Sequence, residues 1–405
     1  MKILLINDYG TATGGAELQM LSLRQNLIDR GHEVRLFSSK HTPVVNSPLL
    51  SDYECFGTDK RLQVLSQTVN PSAYFRLRHA LADFQPDVVH IRMFLWQLSP
   101  LILPLLKNIP CLYQTATYIP ICPSGTKLLP NGLPCSEQQG LPCLRHGCVT
   151  PQTWAVLMLQ RQLFEQWRSG LDLVVALSHA MKEKIEAAGI KPVEVVYNGV
   201  PERPLRPPLP NLPLVAFAGR LVPEKGVSDL IKAFAQAKAF VPDAQLTIAG
   251  QGVEQNNLQA LAEKLGIAQS INWLGHISRD ELEKRFDAAW VQVVPSLWDE
   301  PFGNVTTEAM MRGTAVIANA VGAQPEIVQD GETGYIVPPQ DIEALKDALV
   351  RLLMSRDLAE KMGQAGRDRA MAHFSENRRT ENFLNLYQRI QGLYNYPSKE
   401  TLSLI

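Results

Sequence analysis

The chain has 405 residues, 45% of them hydrophobic, which is enough for two domains with separate cores and excludes a small stapled scaffold. Its 39 basic and 40 acidic residues leave a formal charge of -1, so no bulk field favours nucleic acid as a partner. No apolar run approaches the length of a membrane span, and residues 1–6 read as a strand rather than a secretory leader, so a cytoplasmic protein is expected.

In chain order, residues 2–7 form an apolar strand, 15–30 an amphipathic helix stopped by Gly31, and 33–38 a second strand. The long turn before that helix contains Gly14 and Gly15, whose amides could approach a phosphate closely, with Glu17 just after them. A plain strand-to-helix turn explains the same residues, because the Gly-x-Gly-x-x-Gly spacing is missing. Further strands are expected at 87–91, 111–115, 172–177 and 193–196, with helices at 71–84 and 151–167. His90 ends one strand, at the edge where ligands gather in open α/β sheets. The helix at 151–167 is apolar from Trp154 to Leu159 and carries Arg161, Trp167 and Arg168 after that run. It reads either as buried core or as a face that meets a membrane interface.

Four of the six cysteines, Cys122, Cys135, Cys143 and Cys148, fall within 118–150, a Pro- and Gly-rich insert with little core of its own. Four thiolates can close a tetrahedral structural zinc site, although these spacings are wider than Cys-x2-Cys. Reduced thiols packed in the insert, or disulfides, which a cytoplasmic setting disfavours, are the alternatives. His146 is a spare ligand candidate.

Six prolines between Pro201 and Pro213 mark a stiff linker. The alternation then restarts, with strands at 214–218, 245–249, 270–274, 290–294, 315–318 and 335–337 and a final amphipathic helix from 376 to 394. Alternating strands and helices predict parallel, doubly wound α/β domains at 1–200 and 214–380, with residues 381–405 as a C-terminal helix.

Two segments of the second half carry chemistry. After the strand at 214–218 comes Gly219-Arg220-Leu221-Val222-Pro223-Glu224-Lys225-Gly226, which puts two cations on a tight turn at the strand's carboxyl end, within reach of a pyrophosphate. Residues 295–308 read Pro-Ser-Leu-Trp-Asp-Glu-Pro-Phe-Gly-Asn-Val-Thr-Thr-Glu. Pro301 and Gly303 end the preceding strand, so a helix opens at Gly303, Asn304 and Val305 with amides that attract phosphate. Glu300 and Glu308 flank that tip, and each could accept paired hydroxyls from a sugar or a ribose. A capping Glu300 and a surface Glu308 would explain the spacing equally well.

Together with Val196-Tyr197-Asn198-Gly199-Val200, Gly322 with Pro325-Glu326-Ile327-Val328, and Asp330-Gly331-Glu332-Thr333-Gly334, these segments resemble the retaining glycosyltransferases of family 4 over most of residues 190–355. The resemblance implies the GT-B fold, two Rossmann-like domains facing across a cleft, with the last helix crossing back to the first domain. It implies transfer of a sugar from a nucleotide diphosphate sugar to a saccharide or lipid-linked hydroxyl, in polysaccharide or glycoconjugate synthesis. No catalytic cofactor is implied, and membrane association, if any, would be peripheral at the inner face. By the same resemblance Arg220 and Lys225 meet the leaving diphosphate, Glu300 the sugar and Glu308 the ribose. Gly303, Asn304, Val305, Gly14 and Gly15 line the donor, and His90 touches sugar or acceptor. The chain departs from the family at Ala116 and Thr117, which stand where a His-Asp pair is expected in the register set by Cys122-Pro123. Thr117 and Tyr118 are candidate replacements for that contact. A catalytically weak sugar-nucleotide binding or partner subunit, or a GT-B epimerase, remains the alternative.

Overall fold

The computed structural model describes residues 1–44, 47–58 and 63–394, which form two compact units. The first contains Met1–Pro130, Cys135–Gly199 and, among the described residues, Glu376–Tyr394; the second contains Asn131–Pro134 and Val200–Ser375.

Seven strands make the first sheet: β1 (Lys2–Tyr9), β2 (Glu33–Ser39), β3 (Tyr53–Cys55), β4 (Val88–Ile91), β5 (Cys111–Gln114), β6 (Leu173–Ala176) and β7 (Val193–Val195). They lie in the order β3-β2-β1-β4-β5-β6-β7, all parallel. Parallel strands require crossovers, and the crossover helices cover both faces of the sheet. An uninterrupted apolar run therefore suits β1, in which Ile3, Leu4, Leu5 and Ile6 are all fully buried. The three-residue edge strand β3 is absent from the sequence expectation, because Tyr-Glu-Cys is too short to show a period.

The second sheet holds β8 (Leu214–Ala218), β9 (Gln245–Ala249), β10 (Ile271–Gly275), β11 (Val291–Val294), β12 (Ala315–Asn319) and β13 (Gly334–Val337). Its order is β10-β9-β8-β11-β12-β13, again parallel throughout. Phe217, Ile248, Val291 and Ile317 pack with helix residues Leu230, Phe234 and Leu349 in its core. Strand order reverses between β8 and β11, and in such sheets a crevice opens beyond the carboxyl ends at the reversal. The two loops that leave there are those after Ala218 and after Val294.

The helix Glu376–Tyr394 completes the first unit. Phe383, Leu386, Tyr387 and Ile390 recur at helical spacing and pack with Ile3, Leu5 and Leu112 of the sheet. Its first turns are tied to the helix Gly15–Asp29, where Arg379 donates to the Gln19 carbonyl and the Ser22 hydroxyl, both at 3.1 Å. Of the expected C-terminal segment, residues 395–405 lie outside the described residues.

Residues 201–213 form no regular element, as their prolines dictate, yet they are not a bare spacer. Leu209 is buried, Arg206 Nε donates to the Gly313 carbonyl at 3.0 Å, and Trp290 Nε1 donates to the Pro210 carbonyl at 3.0 Å. The segment is a strap fastened to the second unit.

Candidate active site

The loop after β8 tightens into a single turn at Pro223–Lys225 and ends at Gly226. Gly226 has φ +65, and a Cβ there would lie 1.9 Å from the Pro295 carbonyl oxygen, so this crossing of the two loops admits glycine alone. Leu297 N donates to the Glu224 carbonyl at 2.8 Å and staples them further. The consequence is a close pair of side chains. Lys225 Nζ lies 2.5 Å from Glu300 Oε1, and Ser296 Oγ donates to the same oxygen at 2.5 Å.

Both ions of this pair are largely withdrawn from water, with side-chain exposures of 17% and 8%. Such a pair carries a desolvation cost that the mutual attraction only partly offsets, and its position at the strand reversal points to a working site rather than a stabilising ornament. Lys225 Nζ also lies 5.8 Å from the centre of the Trp298 ring.

Next to the pair the helix Asn304–Arg312 begins at Gly303, whose φ of 130 and missing Cβ leave the tip without a side-chain cap. Gln324 is fully buried against this turn: its Oε1 accepts from Thr306 Oγ1 at 2.8 Å, and its Nε2 has no protein partner. The indole N–H of Trp298 is a second buried donor without a partner. A bound polar ligand would satisfy both.

Glu308, one turn into that helix, is held by Arg279, whose Nη2 lies 2.7 Å from its Oε1. Burial raises the Glu308 carboxyl above its ordinary range, while Arg279 acts in the opposite sense. Arg279 was invisible in the sequence because it belongs to neither loop and opens a separate helix, Arg279–Phe286. Arg220 stands apart from the Lys225–Glu300 pair. Its side chain is 67% exposed, meets Glu224 at 3.4 Å, and lines a cavity of about 290 Å³ with Gly219, Gly250, Gly275 and His276.

In the first unit, Gly14 is the extended residue before the helix Gly15–Asp29, and a Cβ on it would lie 2.3 Å from the Glu17 carboxylate. Glu17 is buried, which raises its carboxyl above the ordinary range. Asp8, at the end of β1, accepts the amides of Trp96, Gln97 and Leu98 at 2.7 to 3.0 Å; burial pushes its carboxyl up to about 7.

The sugar or acceptor contact expected of His90 is corrected here. The ring is fully buried beneath the helix Glu376–Tyr394, with Nδ1 2.7 Å from the Tyr387 hydroxyl and the Phe383 ring 4.7 Å away. Tyr118 is likewise fully buried, and Thr117 Oγ1 accepts from Ile119 N at 3.4 Å. No motif in the sequence singles out Arg92, although it sits two residues beyond His90 and therefore on the same side of the strand end. It is buried and donates to Gln114 at 2.5 Å and to Asn198 at 3.3 Å.

Cys122 and Cys143 are buried, Cys135 and Cys148 half-buried, and all four are free thiols. Among the described residues no three His, Cys, Asp or Glu side chains form a group that could hold a metal ion. On the helix Pro151–Trp167 the buried residues are Leu157, Gln160 and Phe164, and Trp154 Nε1 donates to the Gly140 carbonyl at 2.9 Å. No helix among the described residues is long and apolar enough to cross a membrane.

Comparison with known proteins places the chain in a family. Residues 206–369 match the family described as glycosyl transferases group 1, and residues 13–203 match glycosyltransferase family 4. The chain belongs to the group 1 glycosyltransferases. It is 28% identical over 380 residues to a phosphatidyl-myo-inositol mannosyltransferase of Mycobacterium leprae, covering 90% of this chain and 91% of that one. It is 32% identical over 251 residues to an alpha-maltose-1-phosphate synthase of Mycolicibacterium smegmatis, where the match covers 55% of this chain and 64% of the relative's length. Among solved structures, sucrose-phosphate synthase from Thermosynechococcus elongatus superposes with a TM-score of 0.72 at 23% identity, covering 97% of this chain and all of that one. HepE of Anabaena in complex with UDP-glucose superposes with a TM-score of 0.64 at 19% identity, covering both chains fully. These two likenesses establish the GT-B fold.

Proposed function

We propose that this group 1 glycosyltransferase moves a hexosyl group from a nucleotide diphosphate sugar to a hydroxyl of a saccharide or lipid-linked acceptor, with retention at the anomeric carbon. The observation that carries the reading is the Lys225–Glu300 pair at the strand reversal, beside the uncapped tip at Gly303. As the glycosidic bond breaks, negative charge gathers on the leaving diphosphate. A fixed ammonium and aligned amides stabilise that charge most where water is scarce. Lys225 supplies the ammonium, and the helix tip at Gly303, Asn304 and Val305 supplies the amides. Arg220, long and exposed, supplies a second cation that can turn onto the phosphates. Glu300, released from Lys225 when the donor enters, accepts sugar hydroxyls. Glu308, oriented by Arg279, accepts the two ribose hydroxyls. The neighbouring cavity between Arg220 and His276 suits the base.

Retention rests on the family resemblance, and a lipid-linked acceptor rests on the name of the mycobacterial mannosyltransferase relative. The setting would then be polysaccharide or glycoconjugate synthesis. A second reading, a sugar-nucleotide binding subunit, is favoured by Ala116 and Thr117 in place of the family's His-Asp pair and by the burial of His90. One experiment separates them. The purified chain is incubated with a panel of nucleotide sugars, and release of nucleoside diphosphate and free or transferred sugar is followed by mass spectrometry and NMR. Turnover with retained configuration is expected, whereas tight donor binding with no diphosphate release from any donor would overturn the transferase reading.

A further inference from the structure

Two helices of the second unit meet through charged side chains. The helix Arg279–Phe286 starts at Ser278, whose Oγ accepts the Glu281 amide at 3.3 Å, and its apolar residues Leu282 and Phe286 pack with Ala216, Ala249 and Ala289. Arg279 and Glu283, four residues apart, lie on one face of that helix. Glu308 and Arg312 have the same spacing on the helix Asn304–Arg312, with the charges in the opposite order. The result is a two-rung ladder. Arg279 Nη2 lies 2.7 Å from Glu308 Oε1, and Arg312 Nε lies 2.9 Å from Glu283 Oε2. Each rung joins residues 29 apart in the chain, so the helices are matched turn for turn.

The rungs differ in their surroundings. The outer one is partly exposed, at 39% and 22%, and a pair of that kind holds little by itself. The inner one, Glu283 with Arg312, is withdrawn from water, at 9% and 2%. Slipping it would strand a charge in the interior, and fixing register is the best-attested use of such a pair.

The inner rung also reaches the tip that faces the donor. Arg312 Nη1 donates to Gln292 Oε1 at 3.3 Å, and Gln292 Nε2 donates at 2.9 Å to the carbonyl of Val305, in the first turn of the helix. Arg203, on the strap, lies 3.3 Å from the same Glu283 oxygen that Arg312 meets. The carboxyl of Glu308 sits in the field of this network. After burial and Arg279, the groups that act on it are Glu283, which raises it, and Arg312 and Arg203, which lower it.

We propose that the Glu283–Arg312 pair is a positioning device for the donor's ribose: it locks the register of the two helices so that Arg279 meets Glu308 and turns its carboxylate to the ribose hydroxyls. The inference rests on the reading of Glu308 as the ribose contact. Neither Glu283 nor Arg312 needs to touch the donor, and their effect is on ribose recognition rather than on the leaving diphosphate.

The test is titration calorimetry on the full chain with UDP and GDP, each beside its 2′-deoxy counterpart, using whichever nucleotide binds the wild type more tightly. The readout is the ratio of the two dissociation constants, which a general loss of stability or affinity leaves unmoved. In the wild type the 2′-deoxy form should bind about 10-fold more weakly, the loss expected for a hydroxyl donated to a carboxylate. In Glu283→Gln the ratio should fall to about 3 or less, as it should in Glu308→Gln. Arg312→Lys keeps the buried charge but cannot reach Glu283 and Gln292 together; it should give the same fall and serves where Glu283→Gln does not fold. Arg285→Gln, which alters an exposed pair with Glu281 on the same helix, should keep the wild-type ratio. A wild-type ratio in Arg312→Lys and in folded Glu283→Gln, with the ratio lost in Glu308→Gln, would overturn the positioning role and leave the ribose reading standing. A ratio unmoved in Glu308→Gln would overturn both.

Discussion

The ammonium of Lys225 lies 2.5 Å from a carboxylate oxygen of Glu300, although 75 residues separate the two in the chain. They meet because β8 and β11 are neighbours in the sheet while their connections diverge, so the loops that leave them turn into one crevice.

If that ammonium neutralises a leaving diphosphate, Lys225→Ala should lower kcat by about 100-fold or more, the usual loss when one charge-stabilising donor is removed from a water-poor site. Donor affinity should fall far less. The check is steady-state nucleoside diphosphate release together with donor titration calorimetry, and a near-normal rate would remove Lys225 from the chemistry.

Glu308→Gln keeps the shape of the side chain and removes the charge that Arg279 orients. A ribose held through both hydroxyls should then bind about 10-fold to 100-fold more weakly, in line with the loss of a charged hydrogen-bond acceptor. Because ribose is remote from the reacting bond, KM for donor should rise while kcat stays close to wild type. Equal losses in kcat and kcat/KM would place Glu308 at the reaction centre instead.

Gly226→Ala forces a methyl group into the Pro295 carbonyl at a backbone angle that alanine avoids. We expect a loss of about 2–4 kcal/mol, read by urea unfolding, with activity lost even where the protein still folds. The control is Gly331→Ala, also at positive φ but with open space around it, which should cost about 1 kcal/mol and leave turnover intact.

His90 supplies a pH signature. Burial, and then Arg92, lower its ring to about 3 against the ordinary 6.5, so the folded protein keeps it neutral. Above about pH 6.5 the ring is neutral in both states and contributes no slope. Below that the unfolded chain takes up a proton that the folded chain refuses, so stability falls as pH drops toward 3, by up to about 1.4 kcal/mol per pH unit. His90→Gln should flatten this part of the stability profile, measured by urea unfolding between pH 4 and 7, and an unchanged acid slope would show that the ring is not held neutral.

Much of this was legible in the sequence. Continuous apolar runs such as Ile3–Ile6 and Leu214–Ala218 mark the strands, and glycines at 219, 226 and 303 punctuate the loops that build the site. What stayed hidden depended on partners far away in the chain. His90 reads as a strand-end ligand until Tyr387, 297 residues on, closes over it. Arg279 pairs with Glu308 from a separate helix, and no spacing announces such a meeting. The strap at 201–213 looked free because proline content describes stiffness and says nothing about what the backbone carbonyls accept.

The closing helix has a consequence for synthesis. Phe383, Tyr387 and Ile390 fill the face of a sheet whose first strand emerges some 380 residues earlier. Domains generally fold as units, the N-terminal one first during translation. Here the order should be reversed: the portion between Val200 and Ser375 can bury its interior while the ribosome is still working, whereas the opening half waits, with its hydrophobic face uncovered, for the helix Glu376–Tyr394 to emerge. A nascent chain stalled before Glu376 would therefore be the species that chaperones must hold.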